Sequence, residues 1–141
     1  MKKTIRIIAL ALVAVMMCAM LVSCDAPNAD PGKALTALKE NGYTAEKIDN
    51  EGLGAIAIVA LSAAGISDVE CVVSGTATID DKLEHVTIIY FEDADAAKAE
   101  WADVQKYMDD SKEEGDESEW VIKQSGNMIY YGTKNGVKAA K

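Results

Sequence analysis

The chain has 141 residues, with 14 Lys+Arg against 23 Asp+Glu, and half of its residues are apolar; that suffices for one domain and not two. Lys2, Lys3 and Arg6 fall within the first 23 residues, which hold no acid, so the remainder carries 11 bases against 23 acids, a net of −12 with no arginine. This excludes nucleic-acid binding, which calls for basic surface and favours bidentate arginine, and it predicts that the folded part stands off an anionic bilayer rather than lying on it.

The basic start is followed by Ile7 to Val22 without one charge, the basic-then-apolar order of an export signal. Its end, Leu21-Val22-Ser23-Cys24, resembles the lipobox of bacterial lipoproteins, in which a small residue precedes the cysteine that receives lipid. The resemblance covers the leader alone. It implies cleavage before Cys24, a lipid on that cysteine, and a place at the extracytoplasmic face of a cell membrane. Asp25 resembles the signal that retains such proteins at the inner membrane of two-membraned bacteria. The rival reading is an uncleaved anchor, because about 17 apolar residues sit at the lower edge of a membrane span. The expected organisation is a signal peptide over residues 1–23, the lipidated cysteine and a short tether over 24–32, and one domain over 33–141. Asp25 to Pro31 reaches roughly 25 Å at full extension, so the domain works close to the membrane.

Asp30-Pro31 predicts a helix start, with Asp as N-cap and Pro at the first helical position. Ala34, Leu35 and Leu38 share a face, and Asn41-Gly42 closes the helix. Tyr43 to Asp49 reads as a weak, polar strand. Gly52 to Gly65 is uncharged and apolar, which predicts a buried helix closed at Gly65; a buried strand over Ile56 to Leu61 competes, since periodicity alone does not separate the two. Val69 to Thr78 reads as a strand with Val69, Cys71 and Val73 on one side, followed by a turn at Asp80-Asp81-Lys82 and a central strand from His85 to Phe91. Asp93 caps a helix whose buried face is Ala97, Trp101, Val104 and Met108. Asp109 to Glu119 holds seven acids and one lysine. Trp120 to Gln124 and Met128 to Tyr131 flank a turn at Ser125-Gly126-Asn127, and residues 133 to 141 form a short helix. These elements predict an α+β domain: a two-layer fold with an antiparallel sheet of about four to five strands and helices on one face. The strand and helix order also resembles a ferredoxin-like unit.

Gly52-Leu53-Gly54-Ala55-Ile56-Ala57 matches G-x-G-x-x-A, but the preceding strand is polar and no acid ends the next one, so a packed helix start is favoured over a dinucleotide site. Cys71 and His85 would form a nucleophile pair only if their paired strands brought them together; the favoured reading makes Cys71 a small core residue and His85 an exposed strand start. With Cys24 lipidated, Cys71 has no disulfide partner within the chain. No transition-metal set and no cofactor motif is expected. Asp93-Ala94-Asp95 begins like a calcium loop without completing one, and the acidic run over 109–119 offers at most weak calcium binding. Trp120, Tyr130 and Tyr131 are the candidate partner surface, because adjacent tyrosines on a strand point to opposite faces. The function expected is a small, non-enzymatic binding or accessory domain, with a protein or small molecule as partner. The alternatives are an envelope enzyme working through carboxylates such as Glu84, Glu92 or Asp93, and a structural envelope protein.

Overall fold

The structure, a computed structural model, describes residues 26–49, 54–112 and 119–141. Cys24 and the lipobox, Gly52 and Leu53 of the glycine motif, and residues 113–118 of the acidic run lie outside the described residues.

Helix α1 (Pro31–Glu40) starts where its signals put it. The Asp30 carboxylate accepts the Gly32 and Lys33 amides at 2.8 and 3.1 Å, which serves two of the donors a helix start leaves unbonded. Its end is a Schellman motif: Tyr43 N–H reaches Leu38 O and Gly42 N–H reaches Lys39 O, with Gly42 at φ +83°. Strand β1 (Thr44–Asp49) follows. Helix α2 (Gly54–Ala63) resolves the helix-or-strand ambiguity in favour of the helix. It closes as α1 does, Ile66 N–H bonding Leu61 O and Gly65 N–H bonding Ser62 O, and Leu61 and Ile66 pack into one apolar cluster.

Strands β2 (Val69–Ile79) and β3 (Lys82–Phe91) form a long hairpin. Its two-residue turn is Asp80-Asp81, both at positive φ, as a type I′ turn requires. Cys71 and Val73 share a face as expected, but Val69 lies on the other, because a bulge between Val69 and Cys71 inserts one residue and reverses the alternation. The helix expected after Asp93 is two pieces, α3 (Ala94–Ala99) and α4 (Trp101–Ser111). They part at Glu100, whose carboxylate is drawn to the Ser67 hydroxyl at 2.7 Å. Strands β4 (Trp120–Ser125) and β5 (Met128–Thr133) form a second hairpin, and α5 (Lys134–Ala139) ends the fold with Thr133 as its cap.

The sheet order is β1-β2-β3-β5-β4, antiparallel at every pairing. The fold is therefore α+β, with a five-stranded antiparallel sheet. It lacks the parallel neighbours that a ferredoxin-like split βαβ unit would supply. The helices are not confined to one face. Ala34 and Leu38 of α1 and Val137 of α5 meet Cys71, Val73, Val86, Ile88, Tyr90 and Tyr130 on the first face. Ile58, Leu61, Ala97, Val104 and Met108 meet Val72, Ile89, Phe91, Ile129 and Tyr131 on the second. The sheet is the middle of three layers. The reason lies in β3 and β5, whose unbroken apolar runs present bulky side chains in both directions and demand cover on both.

Candidate functional site

The two ends of the sheet carry different chemistry. At the end where β1 finishes and β2 begins, a cleft of about 960 Å³ opens between the start of α1 and the strands, lined by Asp30, Gly32, Lys47, Asp49, Glu70 and Cys71. The chain enters here. Pro27 is buried, Asn28 N–H donates to Ala140 O at 2.8 Å, and the Tyr90 hydroxyl donates to Asn28 O at 2.7 Å. The segment expected as a short tether is thus docked on the domain from Ala26 onward. Asp30 is engaged in capping, and Lys47 sits 3.7 Å from Asp49 in an exposed pair. Cys71 is 2% exposed, and burial is the main force raising its thiol from 9.0 to about 11. A thiol held protonated through the neutral range is a poor nucleophile, as expected for a small core residue.

At the opposite end, Trp120 of β4 anchors an aromatic group. Its ring stacks on Tyr131 with centroids 6.1 Å apart and planes within 8°, and it lies 4.1 Å from the His85 ring, tilted by 57°. The Lys112 ammonium stands 5.4 Å from the Trp120 ring centroid, within cation–π reach. His85 is therefore half-buried against Trp120 rather than an exposed strand start. Of the three residues expected to form a partner surface, only Trp120 keeps part of its surface open. Tyr130 and Tyr131 are buried, one on each face, because each face has its own helix layer. Burial pushes the Tyr131 hydroxyl up to about 12, against a hydrogen bond with its cross-strand partner Thr87.

The strands of Cys71 and His85 do pair, but the register places Cys71 opposite Tyr90 and His85 opposite Thr76. Five residues along β3 separate the two levels, about 17 Å, and the side chains leave opposite faces. They form no pair. The three carboxylates do not converge either. Glu84 lies near the start of β3, while Glu92 and Asp93 follow its end, about 26 Å away along the strand. Asp93 accepts the Asp95 and Ala96 amides as a helix cap, and Asp95 pairs loosely with Lys98 at 3.8 Å. No group of three His, Cys, Asp or Glu among the described residues is placed to hold a metal ion.

Glu84 is the residue whose setting no sequence pattern reveals. It is 7% exposed, the Asn135 amide donates to its Oε1 at 2.9 Å, and its Oε2 is buried without a hydrogen-bond partner among the described residues. It lies close enough to Tyr43 that its charge adds to burial in raising that hydroxyl's pKa. Gly54, the second glycine of the motif, opens α2, but the strands on either side of α2 pair antiparallel, which removes the parallel βαβ frame of a dinucleotide site. The chain matches no protein-family model, and no curated protein or solved structure is similar to it.

Proposed function

We propose that this chain is a lipoprotein of the extracytoplasmic face of a cell membrane: the leader removed, Cys24 carrying lipid, and the domain acting as a small non-enzymatic binding or accessory module. The observation that carries the reading is the docked entry of the chain. Ala26 to Asn28 are held against the domain by a buried proline and two backbone-directed hydrogen bonds. One residue, Asp25, then separates Ala26 from Cys24, two chain steps with a reach of about 7 Å. Such an arrangement suits a domain carried directly on its anchor. The binding role is supported by how the reactive groups are spent: Asp30 and Asp93 cap helices, Cys71 is buried, and Glu84 and Glu92 stand at opposite ends of one strand. The partner meets the domain at the open part of Trp120, beside His85 and Lys112.

The anchor is tested by mass spectrometry of the mature protein and by membrane fractionation, for the natural chain and for Cys24→Ala. The expected result is an N-terminal cysteine carrying diacylglycerol and full membrane association, both lost in Cys24→Ala. A soluble mature form with a different N-terminus overturns the reading. Crosslinking in native membranes then tests the accessory role: a stoichiometric partner is expected, and its capture should fall in Trp120→Ala.

A further inference from the structure

The sequence of α2 is that of a buried helix: from Gly54 to Gly65 it has no charge, and it is apolar around its whole circumference. Only one side is covered. Ile58 and Leu61 pack into the core, whereas Ile56 and Val59 are 69% and 65% exposed, flanked by exposed Ala60 and Ala63. An uncharged apolar face left in solvent marks a surface meant for something else. Its position says what. β1 delivers the chain to α2 at Asp49, and β2 takes it back at Val69; the register sets Asp49 beside Cys71, and Cys71 and Val69 beside Tyr90 and Phe91. That is the end of the sheet at which, on the opposite face, Tyr90 holds Asn28 and the described chain begins, two residues after Cys24.

We propose that the open face of α2 is a membrane-contact surface, with Ile56 and Val59 seated in the interfacial region of the bilayer that holds the Cys24 lipid. The inference rests on the anchoring reading above, because the lipid brings this end of the domain within a few ångströms of the bilayer. Neither the tether nor α2 suffices alone: two bulky aliphatic side chains bind a bilayer weakly, and a single point of attachment leaves the domain free to tumble. Together they orient it. Asp49, Asp68, Glu70 and Glu92 lie at the same end, so the contact suits a zwitterionic surface and weakens as anionic lipid is added. The expectation that the acidic domain stands off the membrane then applies to every element except α2.

The test uses the mature lipidated protein in phosphatidylcholine vesicles, with an environment-sensitive fluorophore at Val59→Cys and, in a second variant, at Leu83→Cys. Leu83 is an equally exposed apolar residue at the far end of β3, and buried Cys71 does not compete for label. The expected result is a blue-shifted label at position 59, quenched several-fold more by nitroxide lipid than the label at 83, with the difference shrinking as phosphatidylglycerol is added. Protein that floats with the vesicles but shows equal, weak quenching at both positions overturns the contact and leaves the anchor standing. Unlabelled Val59→Cys that a short bis-maleimide crosslinks to its counterpart on another copy also overturns it, since a second copy then covers α2. Protein that fails to float overturns the anchor and the contact with it.

Discussion

Two glycines and one cysteine show how tightly single positions are constrained. Gly132 sits at φ +147°, and a Cβ placed there would strike the His85 carbonyl oxygen and the Val86 Cα across the strand. Gly136, in α5, closes on the same carbonyl from the other side. His85 therefore has its ring against Trp120 and its backbone wedged between two glycines. Gly132→Ala should cost about 3 kcal/mol, since it combines a forbidden backbone region with a backbone clash that no side chain can relieve. Urea unfolding checks this, with Gly126→Ala as the control: Gly126 also has positive φ but has open space around it, so only the conformational cost of about 1 kcal/mol applies. Cys71 supplies a pH dependence. Burial holds its folded thiol at about 11 against an ordinary 9.0, so the folded state keeps a proton that the unfolded chain gives up. The associated stability is complete below pH 9 and is lost as pH rises through 11. Unfolding midpoints measured from pH 8 to 11 should fall with a slope that Cys71→Ala reduces, by about 1 to 2 kcal/mol over the window. Equal slopes for the two proteins would show that the thiol does not titrate differently on folding.

At the scale of the element, boundaries were legible wherever a side chain performs a local task. Asp30 and Asp93 cap, Gly42 and Gly65 close helices in the left-handed region, and Ser125-Gly126-Asn127 turns a hairpin; each depends on interactions within about four residues. What was not legible depends on partners. The bulge that sends Val69 to the opposite face from Cys71 is set by how β2 meets β3, and a strict period of two has no means of registering it. The break falls at Glu100, whose carboxylate accepts from Ser67, a residue distant in sequence. The same logic exposes a weak point. Asp80 and Asp81 both occupy positive φ, a region that aspartate tolerates at a cost and that Asn-Gly fills readily. Replacing them with Asn-Gly should raise stability by about 1 kcal/mol, through lower backbone strain and removal of two adjacent negative charges. A rise in the urea midpoint with an unchanged m-value checks the prediction; a fall would mean that the carboxylates make turn contacts that the strain argument omits.

For the whole molecule, the order of predicted elements announced the antiparallel α+β class, but it placed the helices on one face where the structure has them on both. The apolar run from Ile88 to Phe91 and the fully buried strand β5 already required cover on both faces, and a sheet covered twice cannot present Tyr130 or Tyr131 to a partner. Trp120 escapes because β4 is an edge strand. Glu84 and Asn135 meet only through the return of α5 onto the sheet, a long-range event without a sequence signature. Charge, in contrast, is a property of the whole chain. Residues 24–141 carry −12, and the three ion pairs among the described residues are all at the surface. Exposed pairs of this kind contribute little, so salt has little attraction to screen and much self-repulsion. Raising NaCl from about 0.01 M to about 1 M shortens the screening length from about 30 Å to about 3 Å, and the melting temperature of the folded domain should rise by several degrees. NaCl is the salt to use, because sulfate would also strengthen apolar burial and mix two effects. A melting temperature that falls with NaCl would mean that attractive pairs outweigh the net charge, and would direct attention to Lys112 over Trp120 and Lys134 beside Glu119 as the places where this acidic chain concentrates its favourable electrostatics.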